Sequence, residues 1–259
     1  MRGGAVADFR RAVRAGAWRG PTRGVAPGTV QCNLIALPRE WADGFGAWCA
    51  ANPAVAPVLA RSLPGDPRMP ELGPIDLRTD LPRYRVFHDG VESELRDDVR
   101  ELWDDELVAF AFGCSFSLEE VLRREGVELA YEQRGFGGAI YQTDRETRTA
   151  GGFTAPLVVS MRPFTPDAAR RAVEVSRRYP LLHGAPVHVG HPAALGVTLD
   201  APLDTIGAPS LAPGEVAVFW ACGVTPQLAL ATARPPLAIT HLSAHMLVTD
   251  LPLEQLARR

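Results

Sequence analysis

The chain has 259 residues, of which 46% are hydrophobic and 22% charged, and its formal net charge is −3. This length accommodates one large domain or two modest ones, and the slightly acidic balance argues against general nucleic-acid binding. The sequence contains no lysine, which excludes a catalytic lysine, a pyridoxal-phosphate Schiff base and a P-loop lysine.

The cellular setting is predicted from what the sequence lacks. No apolar run is long enough to cross a membrane, and the Arg-rich first twenty residues lack the apolar region of a secretory signal. The four cysteines are widely spaced and fit no CxxC pattern, which disfavours a zinc knuckle or disulfide framework and indicates a reducing compartment. We therefore expect a cytoplasmic protein without membrane or nucleic-acid partners. A homo-oligomer is compatible with the sequence.

The first half of the chain predicts helices and strands separated by Gly- and Pro-rich loops. The predicted elements are a helix over 5–18, a buried strand over 30–37, a helix over 40–51, an irregular connector over 53–82, strands over 84–89 and 90–96, and a helix over 99–112. The two strands form a hairpin with Asp89-Gly90 as its turn. Ser117 followed by Glu120 is a capping-box pattern, which predicts that the next helix begins at Ser117.

From Gly126 onward the sequence predicts mainly short strands. Strands are predicted over 127–132, 139–143, 156–161 and 186–189, with an amphipathic helix over 167–179 capped by Thr165. We interpret residues 123–197 as a small α+β subdomain inserted into a main α/β domain that comprises residues 1–122 and 198–259. The fold class predicted is therefore α/β plus α+β, with a mixed sheet in the main domain and the active cleft between the two parts.

Residues 216–227 predict a strand, a tight turn and a helix. The apolar run 216–221 ends at Cys222-Gly223, Thr225 is a good N-cap, and Pro226 suits the first helical position. A helix N-terminus favours a carboxylate or a thiolate. The alternative is that Cys222 is a small buried hydrophobic residue. A last strand over 237–240, a His-bearing loop and an apolar segment over 246–249 follow.

A second cysteine-containing turn, at Cys114-Ser115, precedes the helix predicted from Ser117. The chain thus holds two candidate anion sites of similar design. Arg162, at the end of a predicted strand, is the best candidate for binding a substrate carboxylate, and Arg78 is a second candidate. For both arginines the alternative is a structural or solvated ion pair.

Five of the six histidines lie between residues 183 and 245. A metal site built from His183, His188 and His245 is one interpretation, and hydrogen-bonded core or surface histidines are the other. The sequence has no HExxH, GxSxG, GxGxxG or Walker pattern, so zincins, serine hydrolases, dinucleotide enzymes and P-loop NTPases have no support.

Seven blocks of the sequence together resemble the D-glutamate cyclase family, whose bacterial members are often named hydro-lyases. The blocks are PGTVQCNL at 27–34, DLRTDLPRY at 76–84, GCSFSLE at 113–119, VVSMRP at 158–163, HGAPVHVG at 183–190, FWACGVTPQ at 219–227 and THLSAHMLVTD at 240–250. The likeness runs from about Phe9 to Pro252. It implies a two-part fold with the shared blocks at one cleft, and reversible cyclisation of D-glutamate to 5-oxo-D-proline with loss of water.

Three parts of the sequence depart from the family pattern. Cys32 stands where the family usually has Ala, and His191 where it has Asp. The segment Leu242-Ser243-Ala244 replaces Ala-Pro-Gly between His241 and His245. Because Pro restricts φ and Gly frees it, we expect this loop to follow a different path and the substrate to differ if the loop lines the cleft.

The expected enzyme is a hydro-lyase acting on a small carboxylic acid. Lactam formation needs a neutral amine, a polarised carbonyl and a proton for the leaving oxygen, which histidine, arginine and helix N-termini can supply. The candidate catalytic residues are His188 or His245 as acid/base, with His183, His241 and Cys222. The candidate substrate-binding residues are Arg162, Arg78, Cys114, Ser115, Ser117 and Thr225. No cofactor is expected, with a divalent metal as an open alternative. The alternative functions are a lyase or hydratase on another small carboxylic acid, and an inactive ligand-binding homologue.

Overall fold

The computed structural model describes residues 2–258. Its helices and strands are, in chain order, α1 Arg2–Arg14, β1 Thr29–Pro38, α2 Arg39–Ala51, β2 Val58–Arg61, β3 Tyr84–His88, β4 Val91–Arg96, β5 Leu107–Gly113, α3 Ser115–Arg124, β6 Gly138–Glu146, β7 Pro156–Phe164, α4 Pro166–Arg177, β8 His188–Val189, β9 Asp204–Ile206, β10 Val216–Ala221, α5 Thr225–Ala233, β11 Leu237–His241 and β12 Leu247–Pro252. Among the helices of this range, none combines the length and apolar character needed to cross a membrane.

The first sheet is built around β1. Its strand order is β2-β5-β1-β11-β3-β4, and β12 pairs with β1 as well. Every residue of β5 and nearly all of β1 are buried, because helices and loops cover both faces of these apolar strands. Phe45 and Trp48 of α2 supply part of that cover, and the ring of Phe45 packs edge-on against Phe110 and Phe112.

The second sheet has the order β8-β10-β7-β6-β9. Six consecutive residues of β10 pair with β7, from Val216 opposite Phe164 to Ala221 opposite Val159. The strand predicted over 216–221 is thereby confirmed. Every strand pair described in either sheet is antiparallel, so the predicted mixed sheet is wrong. The division of the chain at residues 123 and 197 stays a prediction, and strand pairing groups β9 and β10 with β6 and β7.

Three predicted elements are wrong. The irregular connector over 53–82 contains the strand β2, which pairs with β5. The segment 99–112 was expected to be helical, but its second half is β5, which lies between β1 and β2. The run from Leu107 to Gly113 has no polar side chain to face solvent on a helix, and a strand that is buried on both faces accommodates it. The strand predicted over 127–132 is replaced by a short 3-10 helix, Ala130–Arg134.

Helix starts were predicted less well than strands. Thr165 caps α4 as expected, accepting from the Ala168 N–H. The N-cap of α3 is Cys114 and not Ser117, whose hydroxyl accepts from the Gln31 N–H inside the protein. Thr225 is the first residue of α5 rather than its cap. In both places the hydroxyl satisfies buried strand backbone, which a capping pattern cannot anticipate.

The hairpin at Asp89-Gly90 is confirmed. Both turn residues have positive φ, 48° at Asp89 and 78° at Gly90, as a tight two-residue turn between antiparallel strands requires.

Gly113 ends β5 in close contact with another part of the backbone. A Cβ at this position would lie 1.7 Å from the Leu181 carbonyl oxygen.

We expect Gly113→Ala to lower the free energy of unfolding by about 3 kcal/mol or more, because backbone must move to relieve the overlap. Urea unfolding measures it. Gly4→Ala is the control, since nothing lies within 4 Å of that Cβ and alanine favours the helix. Equal stability of the two variants would contradict this packing.

Candidate active site

Both cysteine turns open onto one cavity, which we call the central cavity. Each turn joins a buried strand to a helix, β5 to α3 through Cys114 and β10 to α5 through Cys222. The cavity has a volume of about 80 Å³, where one water needs roughly 10–15 Å³, so several waters or one small organic acid fit. Arg162 and His241 line it too.

Arg162 is the buried cation of the central cavity, with 4% of its surface exposed. Its Nε donates to Glu119 Oε1 at 2.7 Å and its Nη1 to Ser160 Oγ. Its Nη2 has only a long contact, 3.4 Å, with Ser115 Oγ. Burial alone would lower the pKa of the guanidinium, but the neighbouring Glu119 outweighs burial and raises it. Nη2 is therefore the donor best placed to bind a ligand oxygen.

Glu119 fixes the orientation of Arg162. Its carboxylate is buried and is shared between Arg162 and Arg23, whose Nε donates to Oε2 at 2.8 Å. Glycine at position 138 leaves room for the guanidinium, since a Cβ there would lie 3.0 Å from Arg162 Cζ and φ is +112°. The cation is thus held by an ion pair on one side and by bare backbone on the other.

The two thiols are neutral. Burial raises the pKa of Cys114 to about 12, against a smaller lowering by the Phe116 N–H. Burial also raises the pKa of Cys222, while the Val224 N–H and Arg162 act in the opposite direction. The N–H groups that follow, of Ser115 and Gly223, make no hydrogen bond within residues 2–258. They are donors available to an oxyanion at the helix starts.

Gly223 and Asn33 approach each other across the central cavity. A Cβ at position 223 would lie 2.3 Å from the Asn33 amide atoms. The Asn33 Nδ2 donates to the Gly113 carbonyl oxygen at 2.6 Å. This contact joins β1 of the first sheet to the turn after β10 of the second, and only glycine fits at 223.

His241 ends β11 and is 2% exposed. Its Nδ1 lies 3.1 Å from the Leu34 nitrogen and 3.3 Å from the Leu34 carbonyl oxygen. A buried N–H without an acceptor is rarer than an under-satisfied carbonyl, so we assign Nδ1 as the acceptor and place the proton on Nε2. Burial lowers the pKa of His241 to about 4. At neutral pH it therefore offers a neutral N–H donor to the cavity it lines.

The loop after His241 also lines the central cavity, through Ser243 and Ala244. Ala244 has φ +63°, the region that glycine favours, and the family pattern has Gly at this position. Thr22 holds this residue, since its N–H donates to the Ala244 carbonyl oxygen at 2.9 Å. The substitution thus keeps a glycine-like conformation at 244, which the sequence did not predict.

Comparison with known proteins supports the resemblance. A profile of the D-glutamate cyclase family matches residues 108–250. Relatives named "putative hydro-lyase" include one from Afipia carboxidovorans, 47% identical over 96% of this chain and 93% of its own length, and one from Bordetella petrii, 49% identical over 93% and 92%.

The chain belongs to the D-glutamate cyclase family.

A third hydro-lyase relative of this family, from Rhizobium johnstonii, is 48% identical over 94% of this chain and 91% of its own length. Among solved structures, a nitrogen repressor-like protein from Methanococcus jannaschii covers 95% of this chain and 94% of its own at 14% identity, with a TM-score of 0.42. A similarity this weak carries no functional argument.

The structure brings together only some of the predicted site residues. Cys114, Ser115, Arg162, Cys222 and His241 line the central cavity. Ser117 and Thr225 lie behind it: the Ser117 hydroxyl accepts from the Gln31 N–H, and the Thr225 hydroxyl accepts from the Val158 N–H.

The other predicted histidines and Arg78 lie elsewhere. His245 Nδ1 and Nε2 contact the carbonyl oxygens of Ser243 and Arg19. His188 is on β8, at the edge of the second sheet. His183 is buried with its Nδ1 2.8 Å from the Ala54 oxygen, beside a wider groove of about 850 Å³. Arg78 forms an ion pair with Asp76 and, with burial opposing, lowers the pKa of that carboxyl.

No three His, Cys, Asp or Glu side chains within residues 2–258 are grouped to hold a metal ion. The interpretation of His183, His188 and His245 as a metal site is therefore not supported by their positions. The cofactor requirement stays a prediction.

Sequence reasoning missed Asn33, Glu119, Ser160 and Asp204. Asn33, Ser160 and Asp204 line the central cavity, and Glu119 holds its arginine. Asn33, Glu119 and Ser160 lie in blocks shared with the family, which was a usable signal. Asp204 lies in a segment for which the sequence predicted neither a helix nor a strand, and only the pairing of β9 with β6 places it at the cavity.

His183 and His241 predict a pH dependence of stability. Burial lowers the pKa of each to about 4, whereas an unfolded chain has the ordinary value near 6.5. Between pH 6.5 and 4 the unfolded chain therefore binds more protons, and stability falls as the pH drops. We expect each histidine to contribute a loss of about 2 kcal/mol between pH 7 and pH 5.

Urea unfolding of the protein and of His183→Asn at both pH values checks this expectation. Asparagine tolerates the positive φ of 75° at this position. The variant should lose about 2 kcal/mol less than the parent on acidification. Equal losses would show that His183 is protonated in the folded protein.

Proposed function

We propose that this protein is a carbon–oxygen lyase that cyclises D-glutamate reversibly to 5-oxo-D-proline with loss of water. Membership of the D-glutamate cyclase family and the hydro-lyase relatives support a lyase. The observation that carries the proposal is the convergence of Arg162, His241 and both helix-start turns on one small cavity. The substrate identity rests on the family resemblance.

The roles follow from the protonation states in the cavity. The Nη2 of Arg162 binds a substrate carboxylate, and Glu119 keeps the guanidinium in place. The ammonium group first passes a proton to the other carboxylate, and the resulting neutral amine attacks that carboxyl carbon. The free N–H groups of Ser115 and Gly223 stabilise the tetrahedral oxyanion. All of these donors are fixed before the substrate arrives.

His241 acts as a hydrogen-bond donor and proton source in this proposal. Its Nδ1 is occupied by the Leu34 N–H, and we assign the Nε2–H to the reaction because His241 lines the cavity. A neutral imidazole with a lowered pKa polarises a carbonyl without being protonated beforehand. As water leaves, Nε2 gives its proton to the departing hydroxyl and takes up the proton that the attacking nitrogen loses, so His241 ends the step neutral.

Covalent catalysis by Cys222 has less support. A nucleophilic cysteine needs thiolate character, and burial raises the pKa of Cys222. We assign its thiol to the cavity wall beside the oxyanion donors.

A proton-NMR time course with D-glutamate, L-glutamate and 5-oxo-D-proline, with and without a divalent metal, tests the proposal. We expect D-glutamate and 5-oxo-D-proline to interconvert. No change in any sample would overturn the assigned reaction.

Because Ser243 and Ala244 of the altered loop line the cavity, the second candidate is a lyase acting on another small carboxylic acid. Turnover of such an acid, with D-glutamate inert, would favour it.

His241→Gln should reduce kcat by roughly 10²- to 10⁴-fold, because glutamine cannot transfer a proton. His188→Gln is the matched control, since His188 lies on the edge strand β8, and it should retain turnover. Unfolding by urea confirms that both variants fold. Full activity of His241→Gln would contradict the role of His241.

A further inference from the structure

Two charged side chains line the central cavity in the described part of the chain, and their charges are opposite. One is Arg162, which is buried, and the other is Asp204, which is exposed. The remaining titratable groups of the lining, Cys114, Cys222 and His241, are neutral near pH 7 because burial shifts their pKa values away from neutrality. A cavity with one cation and one anion complements a dipolar ligand.

Strand register places both charges on one face of the second sheet. Asp204 of β9 is opposite Ile140 of β6, which is opposite Ser160 of β7. Side chains of directly opposed residues share a face, and so do residues two apart along a strand. Arg162, two residues after Ser160, is therefore on the same face as Asp204.

The spacing of the two strand positions leaves room for an amino acid between the charges. The Arg162 guanidinium reaches over Gly138 of β6. Asp204 lies one strand across and two residues along from Gly138. With strands about 4.8 Å apart and a rise of about 3.3 Å per residue, the two positions are about 8 Å apart. A small molecule with a carboxylate at Arg162 can present an ammonium group to Asp204.

Ser243 holds the carboxylate of Asp204 in place. Its Oγ donates to Asp204 Oδ2 at 2.7 Å, which leaves Oδ1 to accept from a ligand in addition to its contact with the Thr205 N–H. Ser243 belongs to the segment in which this chain departs from the family pattern, where the family has proline. Proline has no hydroxyl, so this contact depends on the departure itself.

We propose that Asp204, positioned by Ser243, is a specificity-determining residue that binds the amino group of the substrate and so selects amino acids over simple carboxylic acids. The inference rests on the proposed function in that it concerns the same cavity. Both an ammonium and a neutral amine carry N–H donors, so Asp204 can hold the nitrogen before and after it loses its proton.

Binding measurements by isothermal titration calorimetry test this directly, with D-glutamate and with glutarate, the five-carbon diacid that lacks the amine. Asp204→Asn should weaken D-glutamate binding by about 10- to 100-fold and leave glutarate binding unchanged or tighter. Asp167→Asn is the control, since Asp167 is exposed on α4 and forms an ion pair with Arg170. It should change neither affinity.

The variant Ser243→Ala tests whether Ser243 positions the Asp204 carboxylate or only contributes to folding. It should raise KM for the amino substrate with little change in kcat, and Ser243→Thr, which restores a hydroxyl, should recover the lower KM. Equal loss of D-glutamate and glutarate binding in Asp204→Asn would overturn the inference, as would no loss of either. Failure of the wild-type protein to bind D-glutamate would overturn it as well.

The outcomes separate this inference from the proposed reaction. Asp204-dependent binding of D-glutamate without turnover supports the inference and contradicts the reaction. Interconversion of D-glutamate and 5-oxo-D-proline that is unaffected by Asp204→Asn supports the reaction and contradicts the inference.

Discussion

The ion pair between Arg162 and Glu119 is the interaction on which the site depends. Arg162 belongs to β7 of the second sheet and Glu119 to α3, the helix that continues from β5 of the first sheet. Removing one partner of such a buried pair costs about 3–5 kcal/mol, because the other charge is left without compensation. The cation that lines the central cavity is thus also a link between the two sheets, so the cavity and the sheet packing share one residue.

One close contact adds to the link between the sheets, and two others fix the second sheet at the cavity. Gly223 lets Asn33 reach the turn after β10, and Gly138 lets the guanidinium lie against β6. Thr225 adds a third contact within the second sheet, since its hydroxyl bonds both the N–H and the carbonyl of Val158. At Gly138 and Gly223 the cavity wall therefore lacks side chains, and Asn33 beside it is held by the Gly113 carbonyl oxygen. A wall of this kind positions hydrogen-bond donors with little freedom to rearrange.

The sequence predicted local features well where one residue type dictates geometry. The Asp89-Gly90 turn, the Thr165 cap and the apolar strand of β10 all follow from short-range rules. Residues 107–112 were predicted as part of a helix over 99–112 because an unbroken apolar run has no period, and only the two neighbouring strands decide its state.

The site was predicted in part for the same reason. The cysteine turns and Arg162 stand at strand ends, where sequence reasoning expects function. His188 and His245 were preferred over His241 as the acid/base because a sequence shows where histidines occur but not which hydrogen bonds they make. Only the tertiary structure shows that His245 contacts two carbonyl oxygens and that the Nδ1 of His241 contacts Leu34. The strand register that brings Asp204 to the cavity is likewise set by pairing far along the chain.

The protonated state of the two cavity thiols affects how readily they are oxidised. Peroxides and electrophiles react with the thiolate form of cysteine, so the rate of oxidation or modification rises with the fraction of the sulfur that is ionised. Burial raises the pKa values of Cys114 and Cys222, so this fraction is very small at neutral pH. The chain thus uses cysteine as a compact, weakly polar wall beside its helix starts while protecting it from oxidative damage.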